Sequence, residues 1–403
     1  MGFQLRASAF GCGIVGAWSG RFQGGDFGVL HGEPIALTGA VGKQPKGGDR
    51  QFELGVHSAV RFAVMPVFRF EIDANKDSVQ TLPPPSNLQW FEGVAFAPSG
   101  NIIAVAAFET HTVFLFRRAA NGRFEETPYA AINGPRSKLD HPHDVSFARY
   151  GDTDMLAVAQ RGGAIAIFEK NRTSDHFGPE PAFEICGPKT KLDFSDAVAF
   201  VPPNNDYLAA ANLNTSSVSF YRRIGCSPVR FEVEPVFELK HSSLGNPDGL
   251  AFSQSGEWLA VANHGKHSVS VFRRGHNIIS AAKLTYGPRP VTVIKDPSLR
   301  HPHSVAFTPE TNHLVVTNAG ANCFTVYAPG RRAFSTRWSQ LPVSRKSFGS
   351  DGVFKEVQAC NRMEGGPKGI AIHKSSLAVC SPEQGLKIYS FREPHFVPRH
   401  TQL

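Results

Sequence analysis

Beyond residue 90 the apolar residues gather in short runs separated by polar turns, and within the runs bulky and small side chains alternate. That period of two predicts strands rather than helices. One line recurs six times: Glu92-Gly-Val-Ala-Phe96, His143-Asp-Val-Ser-Phe147, Asp196-Ala-Val-Ala-Phe200, Asp248-Gly-Leu-Ala-Phe252, His303-Ser-Val-Ala-Phe307 and Lys368-Gly-Ile-Ala-Ile372. The last residues of successive copies lie 51, 53, 52, 55 and 65 apart. Each copy is followed by a turn such as Ala97-Pro-Ser-Gly-Asn101 and a short apolar strand such as Trp258-Leu-Ala-Val-Ala262. An alternating strand such as Ser268-Val-Ser-Val-Phe272 comes next, then a more variable fourth, for example Glu234-Pro-Val-Phe-Glu-Leu239. Four short antiparallel strands in about fifty residues make one propeller blade.

The expected fold is therefore all-β: a single six-bladed β-propeller of four-stranded antiparallel blades over 51–395. The last copy is followed by only two further strands, whereas Met65-Pro-Val-Phe-Arg-Phe70 matches the fourth-strand segments elsewhere. A strand at about 62–71 is expected to complete the last blade and so remove the open sheet edges. Residues 1–50 hold 13 of the 38 glycines and read as a poorly ordered segment, with 396–403 as a tail. The stretch from Ala74 to Asn87, and an insertion of about fifteen residues inside 331–363, read as surface loops.

Composition narrows the setting. The 42 basic and 34 acidic residues leave +8, and 41% hydrophobic against 19% charged excludes wholesale disorder. No run approaches the ~20 apolar residues of a membrane span. Six scattered cysteines (Cys12, Cys186, Cys226, Cys323, Cys360, Cys380) form no CxxC pair. They read as reduced, buried thiols of a soluble chain, intracellular rather than secreted. The first 25 residues carry Arg6 and Arg21 and no acid, which leaves organelle targeting open.

Antiparallel pairing puts the start of each first strand and the end of each second strand at one mouth of the channel. The first column is Glu92, His143, Asp196, Asp248, His303 and Lys368; the second includes Gln160, Asn212, Asn263 and Asn318, with His264 adjacent. By blade order His143 and His303 sit on opposite sides of the axis. Carboxylates and imidazoles around one axis form a candidate site for a divalent cation, with Glu92, His143, Asp196, Asp248 and His303 as metal ligands. Two imidazoles favour Zn, Mn or Fe over Ca. Three approach loops read His141-Pro-His143, Asn246-Pro-Asp248 and His301-Pro-His303, and proline stiffens each loop and aims the side chain after it. His141, Asn212, Asn263, His264, His301, Asn318 and Lys368 are therefore candidate ligand-binding residues. Arg161-Gly-Gly163 reads as a plain turn.

At the opposite end of the ring the third strands finish in Phe116-Arg-Arg118, Tyr221-Arg-Arg223 and Phe272-Arg-Arg274. Such a basic crown suits phosphate, nucleic acid or an acidic protein, or is simply a solvated rim that guards strand edges. No RNA-recognition signature accompanies it, so nucleic acid is not an expected partner. The chain also lacks a GxSxG elbow, an HExxH pair and a P-loop.

The lines Pro142-His-Asp-Val-Ser-Phe147 and Leu259-Ala-Val-Ala-Asn-His-Gly265 resemble the six-bladed TolB-like propellers and the YVTN and lactonase-type repeats, over about residues 62–392. Within that superfamily the gluconolactonase and regucalcin group holds one divalent cation at the channel mouth. Its first, third, fourth and fifth blades supply Glu, Asn, Asn and Asp. The resemblance carries these places to Glu92, Asp196, Asp248 and His303, of which only Glu92 agrees in type. Asp248-Gly249 looks like the group's Asp-Gly turn, one blade early.

Two functions follow as expectations. The first is a non-catalytic, monomeric propeller that presents its channel mouth to a protein partner or small-molecule ligand. The alternative is a metal-dependent hydrolase of lactones or esters, with Asp196 or Asp248 as general base.

Overall fold

The computed structural model describes residues 69–71, 80–85 and 90–393, apart from 172, 175, 227, 276–283, 331–336, 349–354, 358–361 and 383. The expectations for residues 1–50 and for the tail lie outside the described residues. Six antiparallel sheets follow one another along the chain. Their first strands are Phe91–Phe96, Pro142–Tyr150, Ser195–Phe200, Pro247–Phe252, Pro302–Phe307 and Ile370–His373. Each pairs with the strand that follows it, and the order within a sheet runs first, second, third, fourth. Among the described residues the helical turns are three short 3-10 turns, and no helix is long and apolar enough to cross a membrane.

The alternation seen in the sequence is what packs blade on blade. Six apolar clusters lie between neighbouring sheets; blades one and two share Ala104, Leu115, Val145, Leu156 and Phe168. Blades six and one share Leu82, Phe91, Val105, Cys380 and Leu386, which closes the ring. Small residues on one side leave room for large ones on the other, so the wedge can narrow toward the axis.

Closure uses two N-terminal segments rather than one. Arg69–Glu71 pairs with Ser390–Arg392 of the last strand, as expected for a latch near 62–71. Gln80–Leu82, inside the stretch read as a surface loop, pairs with Leu386–Ile388 and fills the regular fourth-strand place. Leu82 is fully buried, and the Gln80 amide makes two hydrogen bonds with the Phe124 backbone. Three residues are too few for a period of two to be visible in the sequence. The expected insertion is partly regular as well: Ser344–Ser347 is the fourth strand of blade five, and a hairpin of Lys355–Val357 with Arg362–Glu364 follows it. Of the cysteines expected to be buried, Cys323 and Cys380 are, whereas Cys186 is exposed.

Candidate functional site at the channel mouth

The side chains of the first column reach the axis because the backbone is irregular there. In blades two, three and four the pairing skips one residue: Pro142 pairs with Gln160 and Asp144 with Ala159, Ser195 with Asn212 and Ala197 with Ala211, Pro247 with Asn263 and Gly249 with Ala262. The skipped residues are His143, Asp196 and Asp248. Similar shifts span Phe91 to Val94 and Pro302 to Val305, around Glu92 and His303. Such a bulge turns a side chain away from the sheet face. The residue two places earlier is left-handed in five blades: His141 (φ 52), Phe194 (φ 51), Asn246 (φ 47), His301 (φ 49) and Gly366 (φ 73). Those turns bring the chain back toward the axis just before the bulge.

The loops are latched from blade to blade. The His141 N–H donates to His111 Nδ1 at 3.0 Å, the His301 N–H to His267 Nδ1 at 3.0 Å, and the Asn246 N–H to Ser216 Oγ at 3.3 Å. Glycines let the first strands crowd together. A Cβ on Gly249 would lie 2.6 Å from Ser304 Cα, and one on Gly369 would lie 2.6 Å from the Glu92 carbonyl oxygen. Asp248-Gly249 is thus a packing device at a strand start.

Glu92, His143, Asp196, Asp248, His303 and Lys368 all come together, each at most 4% exposed. The axis is so narrow that residues from opposite blades touch. The His143 and His303 rings stack with centroids 5.2 Å apart and planes 17° apart. His303 Nε2 lies 3.1 Å from Glu92 Oε2 and 3.6 Å from Asp248 Oδ1. His143 Nε2 lies 3.7 Å from Glu92 Oε2 and 4.0 Å from Asp248 Oδ1. The Lys368 ammonium stands 3.6 Å from Glu92 Oε2. Glu92 Oε2 and Asp248 Oδ1 are both buried without a well-formed hydrogen bond.

Arg161, read from the sequence as a turn residue, belongs to the site. Its guanidinium holds Asp196 at 2.7 and 3.1 Å, and the same Nη2 lies 3.1 Å from His143 Nε2. Its cation also sits 5.3 Å from the Phe108 ring centroid and 5.7 Å from that of Phe194. The signal was present: Arg161 follows Gln160 as His264 follows Asn263, one step past the second column. With His143 Nδ1 donating to the Asp196 carbonyl at 2.7 Å, its Nε2 is left as the acceptor facing Arg161.

Charges here follow burial. Burial and the neighbouring Asp196 push the Asp248 carboxyl well above the usual range. Burial alone would raise Glu92 too, but the Lys368 ammonium and the two imidazoles hold it well below. Arg161 is held more firmly protonated by Asp196, against its own burial. Burial lowers His143, lowers His303 to about 3 and lowers His264 to about 2.

The second column has a different task. The Asn212 and Asn263 amides donate to Ser219 and Ser270 at 3.0 Å, and Asn318 donates to Thr325 at 3.0 Å. Asn212 and Asn263 also accept loop N–H groups from Asp193 and Gly245. These side chains tie loops to their own blades. His141 and His301 stand on the rim, and His264 Nδ1 lies 3.4 Å from Asp248 Oδ2, with its Nε2 lacking a hydrogen-bond partner.

A pH dependence follows. Histidines whose pKa is lowered on folding stabilise fully above the unfolded value of 6.5, and that stability is lost as pH falls toward the folded values. Asp144, raised to about 7 chiefly by burial, and Asp248, raised well above its ordinary value, work the other way: their contribution is full below 3.8 and is lost as pH rises through the folded values. The melting temperature is therefore expected to gain less on acidification from these two carboxyls than it loses from the five histidines that burial lowers. His264→Asn should narrow the gap between melting temperatures at pH 7 and pH 5. An unchanged gap would show that His264 is not held neutral.

Residues 231–344 match the family described as "Lactonase, 7-bladed beta-propeller". That segment carries Asp248 and His303 but neither Glu92 nor His143. No curated protein matches the chain. Among solved structures it is similar to the Cps50 (Swd1) β-propeller domain of Myceliophteria thermophila, at 14% identity and TM-score 0.46, covering 74% of this chain and 83% of that one. A protein from Lactobacillus plantarum shares 18% identity at TM-score 0.46, over 63% of this chain and 70% of that one. A candidate 6-phosphogluconolactonase from Bacteroides fragilis shares 15% identity at TM-score 0.44, over 62% and 71%. The chain is a six-bladed β-propeller, and the stretch that matches the lactonase model runs from the end of its third blade through its fifth.

Proposed function

We propose that the channel mouth is a hydrolase site for small lactones or esters, centred on one divalent cation between Glu92, His143, Asp248 and His303. One observation carries this. Two buried carboxylate oxygens that lack a well-formed hydrogen bond, Glu92 Oε2 and Asp248 Oδ1, face two imidazole Nε2 atoms at 3.1–4.0 Å. Tetrahedral ligands on bonds of about 2.0–2.1 Å stand roughly 3.3 Å apart; Glu92 and His303 already have that spacing, while the contacts at 3.6–4.0 Å would have to draw in, with His143 Nε2 giving up its contact with Arg161. The two imidazoles favour Zn, Mn or Fe over Ca. Such an ion supplies polarisation of the carbonyl and a lowered pKa for water.

The protein's own groups do the rest. Asp196, expected as ligand or base, spends both oxygens on orienting Arg161. Asp248, expected as a general base, joins the ligand set. Arg161 and Lys368 offer cationic donors for charge that develops on the carbonyl oxygen. His264, held neutral by burial and with Nε2 unpartnered, adds a hydrogen-bonding nitrogen beside Asp248. The match of residues 231–344 to the lactonase family supports the choice of substrate class.

A second reading rests on a different observation. Arg161 and Lys368 already offset two of the three carboxyls, and the six ring residues are almost sealed from water. On that reading the ring is a structural plug, and the rim histidines His141, His264 and His301 meet a ligand or protein partner. Metal analysis separates the two. Protein stripped by chelator and re-equilibrated with Zn or Mn is expected to keep one ion per chain. Asp248→Asn should weaken that binding by at least roughly 10- to 100-fold, with loss of turnover on a lactone and ester panel. Protein that keeps no ion and is inert on the panel would falsify the hydrolase reading.

A further inference from the structure

Four of the five left-handed residues before the bulges, His141, Asn246, His301 and Gly366, are types that tolerate a positive φ. The fifth, Phe194 at φ 51, is not: a bulky side chain crowds the following carbonyl there. The turn itself does not call for a phenyl ring. Its backbone is already set, since the Leu213 N–H donates to the Phe194 carbonyl at 3.0 Å and the Asp193 N–H to Asn212 Oδ1 at 3.3 Å. Nor does burial offset the strain, because the residue stays 37% exposed. Backbone strain that packing does not explain points to function.

Its place says which function. In other blades the residue at this turn folds onto the loop of the preceding blade. His141 meets Phe108 and His111 with ring centroids 4.8 and 4.3 Å apart, and Asn246 donates to the Leu213 carbonyl at 3.4 Å. Phe194 does the same and meets Arg161, whose cation lies 5.7 Å from the ring centroid. That guanidinium in turn reaches His143 Nε2 and Asp196. A half-open phenyl ring therefore stands beside the groups assigned to the reacting carbonyl. The nearby amides that could grip substrate hydroxyls are engaged instead: Asn212, Asn263 and Asn318 donate to their own blades.

We propose that Phe194 is a specificity-determining lip that packs the alkyl or aryl tail of the substrate, so that apolar-tailed lactones and esters are preferred over polyhydroxylated ones. The assignment rests on the hydrolase reading. Zinc-equilibrated full chain is assayed on δ-decalactone, which carries a pentyl tail, and on D-glucono-δ-lactone, with δ-decalactone binding read by calorimetry in parallel. A higher kcat/KM is expected for δ-decalactone. Phe194→Asn, which copies Asn246, should keep the fold and cut that preference roughly tenfold or more, whereas Phe194→Tyr should retain most of it. An equal loss on both lactones would show that the ring only holds Arg161. That result, an unchanged preference, or an unaltered protein that favours the hydroxylated lactone would remove the lip and leave the hydrolase reading standing. Binding of δ-decalactone without turnover, weakened in Phe194→Asn, would keep the lip and retire the hydrolase. Absence of both binding and turnover, or binding without turnover that the variant leaves undiminished, would overturn the two together.

Discussion

Replacing Arg161 by methionine is expected to destabilise the protein by about 3–5 kcal/mol, read from urea unfolding. The change leaves the stem's packing nearly intact and removes the cation. Asp196, fully buried, would lose both of its guanidinium bonds. An uncompensated buried carboxylate costs far more than a surface pair returns. The double variant Arg161→Met, Asp196→Asn should recover most of the loss, since an amide carries no net charge to leave unpaired. If the single variant cost under about 1 kcal/mol, the pair would be behaving as a solvated one. The buried network described at the mouth would then be wrong.

Gly249→Val should approach the lower end of that effect, through sterics instead of charge. The added Cβ would meet Ser304 Cα at 2.6 Å and the His303 carbonyl oxygen closer still. Backbone cannot swing aside as a side chain can, so neighbouring first strands must part. Overpacking of this kind costs about 1–3 kcal/mol or more, and the β-branched side chain puts valine at the upper end. Because the strained residue adjoins Asp248, any folded fraction should also lose the convergence of Asp248 with His303. Ser304→Ala, at the matching place in blade five, is the control and should change stability by under about 0.5 kcal/mol. Equal stability of the two variants would remove the packing role assigned to Gly249.

Much of the architecture was legible because a blade is a local object. Its strands pair with sequence neighbours, so a repeat near fifty residues announces the sheet, and the bulky–small alternation announces packing on both faces. The orphan strand near Phe70 announced closure, since a missing partner at one end must be met from the other. Leu82 escaped notice because three residues carry no period. Arg161 escaped because the sequence gives an arginine after a strand no direction, and a solvated turn is the commoner fate for such a residue.

The chain's order of residues determined which groups arrive at the mouth: Glu92, His143, Asp196, Asp248, His303 and Lys368 hold one position in successive copies of one motif. What those groups do to each other was decided in three dimensions. Bulges and left-handed turns aim them inward, and glycines bring the strands close enough for His143 to stack on His303 across the axis. Burial then keeps imidazoles neutral and sets Asp248 apart from Glu92. Periodicity is carried by neighbours in the chain. Proximity across an axis, and the desolvation that follows from it, exists only once all six blades have closed.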